Sequence, residues 1–258
     1  MIALLTAFSG AFAGACGAYW IVNRVEGGKQ TLTEIRNVNA AIMLVASVFE
    51  THFVQKKQHF HELKTSYDQI KKAALEARSQ AAADERLPGH LFTFSMDFRS
   101  FNPVPAPFEH INALIFSQMS VSARVITLTT TLERTHNALN TLVEQRNAFI
   151  DDFKKNRDNI NHDERSALYF GFPNVAGHTD ETYRDMIDGI YGLCDDCIAF
   201  SMLLADELTA YGKQLADRYG RKAPVIWKMD ISEAQGTGLL PDLTQYADYL
   251  SIPAEKAQ

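Results

Sequence analysis

The sequence predicts an all-α protein in which an N-terminal transmembrane helix precedes an elongated antiparallel bundle of three coiled-coil-like helices. The first observation behind this prediction is that residues 1–23 of the 258-residue chain carry no charged side chain. At about 1.5 Å per residue, a helix of this length spans the ~30 Å hydrocarbon core of a bilayer. The second observation is a heptad pattern of apolar residues in two later segments of similar length. This pattern is typical of helices that pack along a common seam.

The flanks of the uncharged segment predict its orientation. Arg24, Lys29 and Arg36 follow it and no basic residue precedes it, so the positive-inside rule places the rest of the chain in the cytoplasm. We therefore expect a single-pass protein of the cell membrane. Two alternatives stay open. One is a cleaved secretory signal, for which small residues before Cys16 supply a site although a positive n-region is missing. The other is a hydrophobic terminus buried in an oligomer.

Small residues inside the segment predict helix association. Gly10, Gly14 and Ala18 recur at every fourth position, which aligns them on one face of a helix. In lipid, close backbone approach over small residues is one of the main sources of attraction between helices. We expect self-association through this face. The alternative is that a segment rich in Ala and Gly shows this spacing by chance.

Glycine and proline residues divide the rest of the chain. Gly27 and Gly28 predict a hinge after the anchor, and Pro88 is expected to end the first long helix. Matched helix lengths on either side of the next loop are typical of an antiparallel hairpin. The predicted divisions are an anchor at 1–23, a hinge at 24–28, helices at 29–87, 108–158 and 179–220, a tip segment at 88–107, a membrane-proximal loop at 159–178 and a tail at 221–258.

Helices that alternate in direction would bring segment 88–107 and the tail to the tip far from the membrane. Each contains a run of alternating apolar and polar residues, at 91–99 and 225–229, which is typical of a half-buried strand. A small two-stranded β cap is therefore expected at this tip. Its aromatic residues are candidates for a partner-binding surface: Phe92, Phe94, Phe98 and Trp227. The alternative is that these aromatic side chains only cover the open end of the bundle core.

The motifs in the chain give little support for catalysis, a cofactor or a metal. Cys194 and Cys197 form a single C-x-x-C with no second pair for zinc, and their position on the apolar seam predicts buried core residues. Glu133 and His136 match one Glu-x-x-His element of a di-iron bundle, but the heptad register places both off the core. His52 is expected to be solvated. The net charge of −6 argues against a nucleic-acid partner.

We therefore expect a protein without catalysis of its own that acts as a membrane-anchored scaffold, adaptor or assembly subunit. Its expected partners are the lipid bilayer and either a second copy of the chain or another protein. Contact with them is expected through the transmembrane helix and the distal tip. The alternative function is a sensory or ligand-binding bundle on the outer face of the membrane, periplasmic or extracellular, anchored by the same helix.

Overall fold

A computed structural model of the chain describes residues 2–83, 94–156, 159–174 and 176–250, with side chains from Val22 onward except at 23, 82, 83, 162, 248 and 250. This part is mostly helical and contains no β-strand, which confirms the all-α class. Its elements are α1 (Ile2–Gln55), a π-helical turn (Lys56–Phe60), α2 (His61–Ala83), α3 (Phe108–Ser117), α4 (Ala123–Asn156), α5 (His162–Phe170), α6 (Thr182–Tyr219), α7 (Ser232–Gln235), a 3-10 turn (Leu243–Tyr246) and α8 (Ala247–Leu250).

Helix α1 continues without a break through Gly27 and Gly28, where the sequence predicted a hinge. Neither glycine has the positive φ that ends many helices, and the hydroxyl of Thr31 donates to the Gly27 carbonyl at 2.9 Å. A glycine weakens a helix by about 1 kcal/mol, which does not stop it when no left-handed residue or proline follows. The uncharged N-terminal segment and the first bundle helix are therefore one helix.

The helix extends beyond Gln55 through a π-helical turn into α2. His61 closes this turn, since its backbone N–H donates to the carbonyl of Lys56. Both ends of the turn face the interior: the side chain of Phe60 is 1% exposed and that of Lys56 only 2%. Single π-helical turns of this kind change which side chains a helix presents to its neighbours.

Helix α4 runs in the same direction as α1, and α6 runs against both. Asn37 of α1 donates to the carbonyl of Gln118 just before α4 begins, at 3.4 Å, and His52 meets His136 further along both helices. In α6, Cys194 contacts the His52 carbonyl and Tyr211 contacts Glu34, so its numbering falls as that of α1 rises. The expected antiparallel hairpin of the first two long helices is therefore wrong.

The predicted helix at 108–158 is two helices, α3 and α4, separated by residues 118–122. Ser122 begins α4, because its hydroxyl accepts from the backbone N–H of Val125 at 3.4 Å. Ser120 donates its backbone N–H to Glu34 of α1 at 2.7 Å. We call this end of the bundle, where Glu34, Ser120 and Tyr211 meet, the base.

The loop at 159–178 lies at the opposite end of the bundle, which we call the far end. Tyr67 of α2 donates to the carbonyl of Tyr169 at 3.1 Å, and the Tyr169 ring stacks on Tyr183 with centroids 4.8 Å apart. The expectation that this loop lies at the same end of the bundle as the uncharged segment is wrong, because α4 leads away from the base instead of toward it. The expectation that the tail lies at the far tip is also wrong, because the tail starts at the base, where α6 ends, and Trp227 is held beside Asn39.

No β cap forms in the described residues. Residues 94–107 are extended but run alone along α4, where asparagine side chains take the place of a second strand. Asn147 accepts from the N–H of Phe101 at 3.1 Å and donates to its carbonyl at 2.7 Å. Asn140 holds Val104 in the same way, at 2.7 and 3.0 Å. Seven helical residues and three extended residues both span about 10 Å. The spacing of the two asparagines along α4 therefore equals the spacing of the two residues that they bind in the extended segment.

The core lies between the three long helices, with α6 packed against both α1 and α4. Its fully buried members include Ile35, Val38, Ile42, Val45, Leu128, Leu132, Leu139, Val143, Ile187, Ile190, Leu204 and Leu208. Ile35 is the first buried residue whose side chain is described.

Candidate functional site

The predicted association residues Gly10, Gly14 and Ala18 lie within α1. The helical backbone places them along one face, and their side-chain surroundings lie outside the described part. Just beyond them, Val22 and Val25 are each 51% exposed. These two valines follow Ala18 by four and seven residues, so they continue the same face of the helix.

One N-terminal helix is long and apolar enough to cross a membrane by length and composition. Among the residues with described side chains, this helix runs from Arg24 to Ala81 and contains an 18-residue window of mean hydropathy 1.3. That window is 39% buried in the bundle, and the core helix of a soluble protein has the same properties. The window is thus evidence for an apolar helix and does not by itself place it in a bilayer.

The aromatic residues of the predicted tip are not brought together. Phe92 lies outside the described residues. Phe94 packs on Phe170 at the far end, with ring centroids 4.7 Å apart, and Phe98 packs on the ring of Phe153 at 5.7 Å. Trp227 lies in the tail near the base. Phe94 and Phe98 are half-buried, which agrees with the alternative that they cover the end of the core.

The side chain of Trp227 is exposed because α1 binds this part of the tail through the backbone of the tail and not through its side chains. Asn39 of α1 donates to the carbonyl of Val225 at 2.9 Å and accepts from the N–H of Trp227 at 3.0 Å. The side chains of Val225 and Trp227 are 82% and 56% exposed. The tail therefore presents two large apolar side chains on a fixed backbone.

The bundle interior contains polar groups that the sequence did not predict there. His52 is fully buried. Its Nδ1 lies 2.7 Å from the carbonyl of Val48 and its Nε2 lies 3.1 Å from Nδ1 of His136. The Nε2 of His136 lies 3.1 Å from Nδ2 of Asn140. A carbonyl only accepts and an amide nitrogen only donates, so both rings are neutral with the proton on Nδ1.

Burial controls the protonation of this chain of rings. Burial lowers the pKa of His52 to about 4; the hydrogen bond to Val48 opposes this shift, and repulsion from His136 when that ring is protonated adds to it. Burial also lowers the pKa of His136, against the opposing charge of Glu133. The prediction of a solvated His52 and of an off-core His136 is therefore wrong. Glu133 points elsewhere and accepts from Asn112 at 3.0 Å.

Lys56, at the start of the π-helical turn, forms an ion pair with Asp195 of α6, in which the lysine is buried and the aspartate is half-buried. Its ammonium group also donates to the carbonyl of Leu239 in the tail at 2.6 Å and lies 4.7 Å from the ring centroid of Tyr191. Burial raises the pKa of Asp195, and Lys56 opposes that rise. The lysine therefore joins α1, α6 and the tail at one point.

Arg146 of α4 is fully buried and anchors the extended segment near the far end. It donates to the carbonyls of Arg99 at 2.8 Å and Asp97 at 3.2 Å, and to the hydroxyl of Tyr183 at 3.2 Å. Its guanidinium carbon lies 4.7 Å from the ring centroid of Phe101. Carbonyls and rings thus surround this charge.

Cys194 and Cys197 are free thiols with no exposed surface, as predicted for core residues. Burial raises the pKa of Cys194 to about 12 and that of Cys197 as well. A reactive cysteine needs a lowered pKa and access to solvent, and these two have neither. Within the described side chains, no group of three or more His, Cys, Asp or Glu residues is arranged to hold a metal ion.

The described residues form surface cavities, of which two are of interest here. One, of about 290 Å³, lies at the far end between α5 and the loop that follows it, and its lining includes His178 and Asp180. The other, of about 420 Å³, lies between α6 and the tail and is lined by Met202, Asp206 and Met229 among others. Neither contains a buried charged side chain aimed into it, since the buried charges named above face one another or the backbone.

Comparison of the chain with protein-family models, curated proteins and solved structures finds no match in any of the three. Functional inference therefore depends on the sequence and the geometry described above.

Proposed function

We propose that this protein is a single-pass membrane protein whose helical bundle lies in the cytoplasm and acts as a scaffold, adaptor or assembly subunit. The observation that carries this proposal is the continuity of α1. Its uncharged residues 2–22 precede Arg24, and Ile35 is the first buried residue among its described side chains. A helical stretch of about 20 uncharged residues favours an apolar environment, and a bilayer supplies one of the required thickness.

The basic residues after the uncharged segment support the cytoplasmic orientation. Arg24, Lys29 and Arg36 lie within the distance over which the positive-inside rule acts. Placement of the bundle on the other side of the membrane would instead favour the sensory or ligand-binding alternative.

The polar interior supports a structural role in place of a catalytic one. Lys56 faces Asp195, His52 faces His136, and Arg146 faces backbone carbonyls. Catalytic groups usually line a cleft that a substrate can enter, whereas these groups connect helices to one another and to the extended segments. Buried polar contacts of this kind favour one arrangement of helices over alternatives.

Contacts with other proteins are proposed at two places. The first is the small-residue face of α1 at Gly10, Gly14 and Ala18, for a second copy of the chain. Replacing Gly10 and Gly14 with Leu should weaken a membrane two-hybrid signal, whereas leucines on the opposite face, at Ser9 and Cys16, should not. The second place is the exposed pair Val225 and Trp227, for another protein. We propose this pair in place of the predicted aromatic tip, because the structure does not bring the aromatic residues of that tip together.

Membrane retention tests the anchor. Ala11 lies at the centre of the uncharged segment, and arginine there opposes insertion by roughly 2.5–3.5 kcal/mol. We expect the native chain to resist extraction by alkaline carbonate and the Ala11→Arg variant to be released. The matched control is Ala40→Arg, at an exposed position of α1 beyond the segment, which should stay in the membrane. Extraction of the native chain by carbonate would contradict the proposal.

A further inference from the structure

The topology brings two groups of basic residues, distant in the sequence, to the base of the bundle. Gly212 of α6 packs against Val38 of α1: a Cβ on this glycine would lie 3.0 Å from the Val38 side chain. The two helices are antiparallel, so the last seven residues of α6 continue about 10 Å past that contact toward the N-terminal end of α1. They reach the level of about Thr31, two residues after Lys29.

The chain turns back at this point. The N–H of Ala223 donates to the carbonyl of Gly220 at 2.9 Å, and Trp227 is already beside Asn39. Within the described tail, up to residue 250, residues 220–223 are therefore the part nearest the uncharged segment. Arg218, Arg221 and Lys222 are exposed around this turn.

The charge at the base differs in sign from that of the whole chain. Residues 24–36 and 213–222 together contain seven basic and three acidic side chains, although the chain has a net charge of −6. The basic residues, which we call the basic collar, are Arg24, Lys29, Arg36, Lys213, Arg218, Arg221 and Lys222. The acidic ones are Glu26, Asp217 and Glu34, and Glu34 accepts hydrogen bonds from Tyr211 and Ser120.

We propose that the basic collar binds the headgroups of anionic lipids. This inference rests on the proposed membrane anchor, because the anchor determines how far the basic collar lies from the lipid headgroups. Lys29 lies seven residues, or about 10 Å, beyond Val22. That distance is comparable to the Debye length at physiological salt and to the reach of an extended arginine. Clusters of four to eight basic residues next to a membrane helix attract anionic lipid with about fivefold tighter binding per residue at the surface.

The collar includes residues that are distant in the sequence. Arg218, Arg221 and Lys222 follow Arg24 by nearly 200 positions, and a bundle of three alternating helices would have placed them at the opposite end. The parallel course of α1 and α4 and the return of α6 bring them to the membrane side. The lipid contact is therefore a property of this fold and does not follow from the sequence near the anchor alone.

Lipid retention by the full chain tests the inference. The protein is incubated in detergent with an equimolar mixture of phosphatidylcholine and phosphatidylserine, and native mass spectrometry gives the ratio of the two lipids that it retains. We expect phosphatidylserine to be enriched about threefold at 0.05 M salt and the enrichment to disappear at 0.5 M salt. The variant with both Arg221→Gln and Lys222→Gln should lose about half of the phosphatidylserine enrichment at 0.05 M salt.

The matched control neutralises two exposed lysines at the far end, Lys72→Gln with Lys155→Gln, and should retain the native enrichment. Equal retention of both lipids by the native chain, or the same loss in both variants, would overturn the inference.

Flotation of the native chain with pure phosphatidylcholine vesicles, and with vesicles that also contain phosphatidylserine, tests the anchor separately. A chain that floats without anionic preference keeps its anchor and has no lipid-binding collar. A chain that floats only with anionic vesicles has the collar without the anchor.

Discussion

His52 of α1 and His136 of α4 are joined ring to ring inside the bundle, with Nε2 of His52 3.1 Å from Nδ1 of His136. This contact fixes the alignment of two parallel helices that are connected through more than 60 intervening residues. It also links the stability of the bundle to pH, because neither ring can take a second proton without breaking the chain of hydrogen bonds.

We predict that the bundle loses stability as the pH falls below about 6.5. The folded pKa of His52 is about 4 against 6.5 for the free side chain, so the unfolded chain binds the proton first. Between pH 7 and pH 5 this difference lowers the free energy of unfolding by about 2 kcal/mol. Urea denaturation of the full chain in detergent at both pH values measures it.

The control for this pH dependence compares two histidines. His52→Gln removes the buried titrating group, so its unfolding free energy should change less between pH 7 and pH 5 than that of the native chain. His110→Gln, at an exposed position of α3, should keep the native pH dependence. An undiminished slope in the His52 variant would show that other groups cause it.

A second prediction concerns the ion pair of Lys56 and Asp195. Lys56→Met leaves the carboxylate without its partner and should lower the free energy of unfolding by about 3–5 kcal/mol. Adding Asp195→Asn should recover part of this loss, because the neutral amide does not need a buried cation. Lys57→Met is the matched control: its ion pair with Glu233 is solvent-exposed and should contribute less than about 1 kcal/mol. Independent, additive effects of the Lys56 and Asp195 substitutions would contradict the pairing.

Arg146 should determine the order of the extended segment. Arg146→Met removes the donors to the carbonyls of Asp97 and Arg99, so hydrogen exchange in residues 97–101 should speed up while α6 remains protected. The Arg99 carbonyl loses its donor, whereas the Asp97 carbonyl keeps the hydrogen bond from the Tyr183 hydroxyl at 3.4 Å, so the free energy of unfolding should fall by about 1 kcal/mol. Arg134→Met, at an exposed position on the same helix, should leave both measurements unchanged. Unaltered exchange in the Arg146 variant would exclude this role.

Two glycines of α6 should respond in opposite ways to alanine. A Cβ on Gly212 would lie 2.9 Å from Ile226 and 3.0 Å from Val38, and both are stiff, β-branched side chains. Gly212→Ala should therefore destabilise the bundle by about 1–3 kcal/mol. Gly192 has no heavy atom within 4 Å of the same position, so Gly192→Ala should stabilise by about 0.5–1 kcal/mol. Thermal unfolding of both variants provides the comparison, and equal shifts would contradict it.

The sequence predicted the helical class and the buried cysteines because both follow from local apolar periodicity. It failed for His52 because the heptad register assumes one narrow seam. Helix α1 packs against both α3 and α6, so positions flanking the seam, such as that of His52, are also buried. A pattern of apolar residues broader than the a and d positions was the available signal.

The direction of α4 was not predictable from helix length alone. Residues 94–107 return along the bundle in an extended conformation, so α4 starts again at the base. Asn140 and Asn147, spaced by two helical turns, make the hydrogen bonds that hold this segment. In the sequence they resemble ordinary surface residues of a helix, because the extended segment that they bind lies about 40 positions earlier in the chain. Ser122 is a residue type that often begins a helix, but the apolar pattern continues across residues 118–122 and predicted one uninterrupted helix.

A dual topology reporter fused to the C-terminus of the full chain tests the membrane anchor and its orientation together. The reporter combines alkaline phosphatase, which is active only outside the cytoplasm, with a fluorescent protein that folds in the cytoplasm. A single-pass anchor with a cytoplasmic bundle predicts fluorescence in the membrane fraction and no phosphatase activity. Phosphatase activity would place the bundle on the outer face, and fluorescence in the soluble fraction would remove the anchor.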